Sequence, residues 1–126
     1  MKNLIASFVI FFVLIISMVF SINYLNKRID HYTKKVNYME DVISKESWDE
    51  AYKASMEFIK EWDKDSETVS VFINHTHVDS INSELLKLTQ YIKYKDKSES
   101  LALVHEIKFL IEEILDVEKV TLANVF

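Results

Sequence analysis

A chain of 126 residues is long enough for one small domain, and its composition excludes several classes of protein. It contains no cysteine, which excludes disulfides and thiolate chemistry, and no glycine or proline, the residues that favour tight hairpins or interrupt helices. The 15 basic and 20 acidic residues give a net charge of −5, so we expect no nucleic-acid partner. This composition favours an all-α fold.

The strongest signal is an uncharged N-terminal segment, LIASFVIFFVLIISMVFSINYL, which runs from Leu4 to Leu25. As a helix it would be ~33 Å long, enough to cross the hydrocarbon core of a bilayer. Tyr24 lies where interfacial aromatic residues occur, and Lys27 and Arg28 follow it. The segment is therefore predicted to span a membrane.

We predict two parts, a transmembrane anchor over residues 1–26 and a helical body over residues 27–126. A cleaved signal peptide is the alternative for the first part, because Lys2 gives a positive start and residues 19–21 offer a cleavage site. The apolar run is longer than the hydrophobic region of an ordinary signal, which favours an uncleaved signal anchor.

The orientation of the anchor is open, because two rules disagree. The positive-inside rule favours a cytoplasmic body, since more basic residues follow the span (Lys27, Arg28, Lys34 and Lys35) than precede it. A short Met-Lys start before a long apolar run is also typical of a signal anchor, which exports the body. Of the two, we favour a single-pass protein of the cell membrane with an extracytoplasmic body.

Beyond the span, apolar residues recur with helical period and predict four helices. The first continues from the span to residues 44–47, with an apolar face of Ile29, Val36, Met39 and Ile43. Ser47 and Glu50 fit a capping box, which predicts that the second helix starts there. Its predicted apolar face comprises Trp48, Ala51, Tyr52, Ser55, Phe58, Ile59 and Trp62.

Residues 63–66 are predicted to form a turn, with Ser66 capping a third helix that runs to about Tyr94. Its apolar residues are Val69, Phe72, Val78, Ile81, Leu85, Leu88 and Ile92. A second break at residues 96–99 precedes a fourth helix with Leu103, Ile107, Leu110, Ile114 and Val117 on one face. Short turns imply antiparallel neighbours, so we predict a transmembrane helix that continues into an up-and-down helical bundle.

The stretch HTHVD, residues 75 to 79, is the best candidate for a metal site. On a helix His75 and His77 point in different directions, whereas His75 and Asp79 share a face. If the helices pair as predicted, Glu113 and Glu118 of the fourth helix lie near the level of this pair. The pattern lacks the Glu-x-x-His pairs of di-iron bundles, and a capped or solvated polar face is the simpler explanation for it. We therefore expect no metal and no cofactor.

The sequence also lacks a nucleophile motif and a phosphate-binding loop, and its carboxylates are typical of solvated helix faces. We expect no enzymatic activity. The tail, residues 121–126, is more unusual because it is apolar. It docks either on its own bundle or in the groove of a partner, and its candidate partner-binding residues are Leu122, Asn124, Val125 and Phe126.

Several motifs together resemble one family. They are the apolar N-terminus, the two tryptophans, His75 four residues before Asp79, YIKYKD at 91–96, HEIKFLIEEI at 105–114 and the ending Asn-Val-Phe. The chain resembles domain-of-unknown-function family 4363 over nearly its whole length, although members end more typically in Asn-Ile-Phe. The resemblance implies a small, single-span, membrane-anchored bacterial helical protein and supplies no reaction.

Together these features predict an accessory or interaction module for a membrane partner. The alternative is a sensor-like bundle that binds a small ligand or a metal between its helices. The sequence leaves the oligomeric state open.

Overall fold

The computed structural model describes the backbone of residues 1–125 and the side chains of residues 1–114 and 116. The chain folds into four α-helices, which are α1 Lys2–Ser44, α2 Trp48–Val69, α3 His75–Lys93 and α4 Lys97–Val125. In the described part of the chain there is no strand. The all-α prediction is confirmed.

Each helix packs against two others. Helix α1 contacts α2 and α4, and α3 contacts the same two helices from the opposite corner of a square. Short connections at residues 45–47, 70–74 and 94–96 reverse the chain direction each time. The body is therefore an antiparallel up-and-down bundle. Its first helix is the C-terminal part of α1, which continues directly from the N-terminal apolar segment.

The turns at residues 45–47 and 94–96 have the same geometry, and glycine is absent from both. Glu46 and Lys95 take positive φ values of 57° and 58°. The amide N–H of the next residue donates to a carbonyl five positions earlier, Ser47 to Val42 at 2.9 Å and Asp96 to Tyr91 at 2.9 Å. These are Schellman endings, in which side-chain-bearing residues occupy the position that glycine usually takes.

The core is formed by one buried stripe from each helix. Helix α1 contributes seven residues from Leu25 to Ile43, and the largest fully buried side chains include Trp62, Tyr32 and Phe58. The predicted α3 residues Val78, Ile81, Leu85, Leu88 and Ile92 are all buried. On α4, Val104 and Ile111 are buried together with Leu103, Ile107 and Ile114, whereas Leu110 is only half-buried.

The predicted turn at residues 63–66 is wrong. Helix α2 runs through it to Val69, and the Ser66 hydroxyl donates to the Asp63 carbonyl within the helix instead of capping a new one. Helix α3 begins at His75, capped by Asn74, whose side chain accepts the Thr76 N–H at 3.0 Å. The predicted capping-box bond is also absent, although Ser47 does occupy the N-cap position of α2.

Helix α1 consists of two contrasting parts. Its N-terminal part contains an 18-residue window with a mean hydropathy of 2.9, none of which is buried within the structure. From Leu25 onwards, one face of the same helix is packed into the bundle. The helix is thus long and apolar enough to cross a membrane, and it joins that segment to the body without a break.

Candidate functional site

The HTHVD stretch forms the first turn of α3. His75 and Asp79 are both exposed, and His77 is half-buried. The two exposed side chains lie one turn apart on the same side of the helix, but within the described residues they form no hydrogen bond or ion pair with each other. They are placed as solvated groups at the start of a helix.

The helix pairing leaves the candidate metal ligands dispersed. Asp79 lines an open groove of about 410 Å³ between α3 and α4, together with Glu84, Glu106 and Leu110. Glu113 is not among the residues that line this groove. Among the described side chains, no three His, Asp or Glu residues lie close enough to hold a metal ion. The side chain of Glu118 lies outside the described residues.

The four candidate tail residues cannot be placed in full. The side chains of Leu122, Asn124 and Val125 lie outside the described residues, as does the whole of Phe126. The α4 backbone continues to Val125, in the direction of the apolar part of α1.

A polar cluster links α1 to α2 just beyond the apolar segment. The Arg28 guanidinium lies 3.1 Å from Oδ2 of Asp65, and the Tyr32 hydroxyl donates to the same oxygen at 2.6 Å. Tyr32 is fully buried, and only 17% of the Asp65 side chain is exposed. Burial, reinforced by the hydrogen bond to Asp65, raises the pKa of Tyr32 well above its ordinary value.

The ring of Tyr32 also packs against two other aromatic side chains of the core. Its ring centroid lies 5.0 Å from that of Phe58 and 5.1 Å from that of Trp62, which it meets edge to face. Such contacts stabilise a core beyond the area they bury. The indole N–H of Trp62 is buried with no hydrogen-bond partner among the described residues. Tyr32 therefore joins the aromatic core to the charged pair at its edge.

One turn further from the apolar segment, a second ionic contact joins the same two helices. Glu61 accepts from His31 at 2.8 Å and lies 3.0 Å from the ammonium of Lys35. The hydrogen bond from His31, and then that from Lys35, lowers the pKa of Glu61. These side chains are more exposed than Asp65, so we expect this contact to be weaker in water.

Sequence reasoning missed both contacts, because it placed Asp65 in a turn. The available signal is the spacing of Arg28, Tyr32 and Lys35 at positions i, i+4 and i+7 on α1, facing Glu61 and Asp65 at i and i+4 on α2. Together the two contacts hold α2 against α1 close to the apolar segment.

An apolar strip on the outer surface follows the line between α2 and α3. Tyr52, Met56 and Ile59 occupy successive turns of α2, and the first two are exposed. Ile59 shares a shallow groove with Leu86 of α3, which is 62% exposed. We refer to these four residues as the α2–α3 strip. It is a surface that the described part of the chain leaves uncovered.

The comparison with known families places these features in one domain. A model described as "Domain of unknown function (DUF4363)" matches residues 19–125, from within the exposed apolar segment to the end of α4. No curated protein and no solved structure matches the chain. The match spans most of the chain and agrees with the family that the sequence motifs predict. The chain therefore belongs to the DUF4363 family.

Proposed function

We propose that this protein is a single-span, membrane-anchored four-helix module that acts as an accessory subunit of a membrane partner. It assists that partner by binding and carries out no reaction of its own. In this proposal residues 1–26 are the uncleaved anchor, and the body lies on the extracytoplasmic side.

The observation that carries the proposal is the contrast within α1. An uncovered apolar helix surface of this length is unfavourable in water, at roughly 25 cal/mol for each Å² exposed. The same surface is favourable in lipid, where the helix also satisfies its own backbone hydrogen bonds. Because α1 continues unbroken into the core, a bilayer around its first part would fix the body at the membrane surface.

Two features support a partner. The α2–α3 strip offers exposed apolar side chains on the body, and aromatic and methionine residues such as Tyr52 and Met56 are enriched in protein interfaces. The tail supplies the second proposed contact, through Leu122, Asn124, Val125 and Phe126. Both contacts are proposed at apolar surfaces, which is where a binding protein meets its partner.

A pull-down tests this function. The full-length protein, tagged at its N-terminus and mildly solubilised from native membranes, is compared by mass spectrometry with a version that lacks Val125 and Phe126. We expect one membrane protein in a fixed ratio to the bait, and we expect its loss with the tail. A matched control, Tyr94→Ala at the opposite end of the bundle, should retain the partner.

The alternative, a sensor-like bundle, predicts a different outcome. The protein would be recovered alone in all three forms, and one ligand or metal ion would raise its melting temperature. That ligand screen would begin at the groove beside Asp79, with His75→Ala and Asp79→Ala as the variants.

The side of the membrane is tested separately. Because the chain contains no cysteine, Tyr94→Cys introduces a unique thiol on an exposed turn. We expect a membrane-impermeant maleimide to label it in intact cells. Labelling only after the membrane is disrupted would place the body in the cytoplasm.

A further inference from the structure

The loop between α2 and α3 is the most apolar connection in the described part of the chain. Its sequence from residue 70 to 74 is SVFIN, and it contains three consecutive apolar residues. Val71 is 77% exposed, whereas Phe72 and Ile73 are half-buried and pack against the core. The other two connections, KES and YKD, are mainly polar.

The loop lies beside the end of the apolar part of α1. The Phe72 ring is 5.9 Å from the ring of Tyr24, centroid to centroid, and Tyr24 is the penultimate residue of the uncharged run. Arg28 also contacts Tyr24, because its guanidinium carbon lies 5.7 Å from the Tyr24 ring centroid. Apolar loop residues, a tyrosine and an arginine thus meet at one level of the bundle.

The backbone N–H groups of the loop are hydrogen-bonded within the fold. The N–H groups of Ser70, Val71, Phe72 and Ile73 donate to carbonyls at the end of α2, over distances of 2.8 to 3.2 Å. Unsatisfied backbone N–H and C=O groups both make irregular backbone unfavourable near hydrocarbon. In this loop the fold itself satisfies the N–H groups of residues 70–73.

The α4 backbone approaches the same level. His105 Nε2 lies 3.2 Å from Glu40 Oε1, which fixes the pairing of α4 with α1. Counting equal numbers of residues along the two antiparallel helices from this contact places the end of α4 near Phe20. The described backbone therefore brings three segments of the chain to the end of the apolar run.

We propose that the α2–α3 loop is a second membrane contact, in which Val71, Phe72 and Ile73 enter the boundary between lipid headgroups and acyl chains beside Tyr24. This inference rests on the proposed anchor, because the anchor is what brings the loop to the bilayer. The surface is continuous with the apolar segment, so its occupant is lipid. The body then lies against the membrane, and the loop fixes its tilt.

Depth measurement with single nitroxide labels tests the proposal. The full-length protein is reconstituted alone in phosphatidylcholine vesicles, with one label at Val71→Cys, Tyr94→Cys or Phe12→Cys. Tyr94 is the matched control, because it is 78% exposed and lies in the turn at the opposite end of the bundle. Collisions with oxygen, which concentrates in lipid, are compared with collisions with a water-soluble nickel chelate.

We expect the label at residue 71 to show a severalfold higher ratio of oxygen to nickel collisions than the label at residue 94, and residue 12 to show the highest ratio. If residue 12 reports lipid but residue 71 is as accessible to nickel as residue 94, the loop proposal is overturned and the anchor stands. If residue 12 itself reports water, the anchor fails and the loop proposal fails with it. Unchanged helical circular dichroism in each variant excludes misfolding, since Val71 and Tyr94 are both exposed.

Discussion

The hydrogen bond between Tyr32 and Asp65 should contribute measurably to the stability of the body. Tyr32→Phe removes a donor to a charged acceptor, and such bonds contribute about 1.5–3 kcal/mol. Asp65 keeps its contact with Arg28 at 3.1 Å and remains partly solvated, so we expect a loss of about 2 kcal/mol. Asp65→Ala leaves the hydroxyl of a fully buried tyrosine without its partner, at a cost of about 1–3 kcal/mol.

The double variant should cost less than the sum of the two single variants. Once both groups are gone, no buried hydroxyl is left unsatisfied, so the two changes should couple by about 1–2 kcal/mol. The free energy of unfolding is measured by denaturation of the full-length protein in detergent micelles. Fluorescence reports the transition directly, because Trp62 contacts Tyr32.

A matched control separates this coupling from general electrostatics. Asp41 and Lys45 form an exposed pair at 2.8 Å on α1, and we expect the changes Asp41→Ala and Lys45→Ala to be additive. Additive effects for Tyr32 and Asp65 as well would refute the reasoning, since they would mean that water satisfies the hydroxyl when Asp65 is absent.

Three further predictions concern the turns and the titrating groups. Lys95→Gly should stabilise the body by about 0.5–1 kcal/mol in thermal unfolding, because it removes the cost of a positive φ, whereas Lys53→Gly within α2 should destabilise it by about 1 kcal/mol. The raised pKa of Tyr32 means that the folded chain holds the phenol proton more tightly than the unfolded chain. The stability that the protonated Tyr32 phenol contributes to the fold is complete below about pH 10 and is lost as pH rises. The wild type should therefore lose more stability than Tyr32→Phe at alkaline pH. The pKa of Glu61 is lowered, so its contribution is complete above about pH 4.5 and is lost as pH falls; Glu61→Gln should flatten the acid limb of the stability curve. An unchanged acid limb would show that water screens the contacts of Glu61 with α1.

Periodicity alone is sufficient to predict the helical class and much of the core. All five α3 core residues, Val78 to Ile92, repeat every three or four positions, and that spacing requires no knowledge of the partner helices. The α1 positions Ile29, Val36, Met39 and Ile43 are buried for the same reason. In each case the apolar spacing that predicts burial lies within a single helix.

The predicted boundary between α2 and α3 is wrong because contacts with other helices, and not the local sequence, determine where α2 ends. Residues 63–66, DKDS, have the composition of a turn, but Asp65 is held by Arg28 and Tyr32 from another helix. The true break follows Val69, where the apolar residues of the loop pack against the core and Tyr24. Local propensity favours a turn at 63–66, and the long-range contacts outweigh it.

The absence of glycine does not prevent the chain from forming tight turns, although local rules favour glycine in them. Glu46 and Lys95 adopt the left-handed conformation because two backbone hydrogen bonds hold each turn closed. For the candidate site, HTHVD was correctly placed on a helix, but the tail residues remain predictions because their side chains lie outside the described part.

The central claim is that the first part of α1 is an uncleaved membrane anchor, and alkaline extraction tests it most directly. Membranes that contain the full-length protein are washed with sodium carbonate, and the intact mass of the protein is measured in both fractions. We predict that the protein stays in the membrane pellet with residues 4–25 still present. Release into the supernatant, or a mass that lacks the N-terminal segment, would contradict the account.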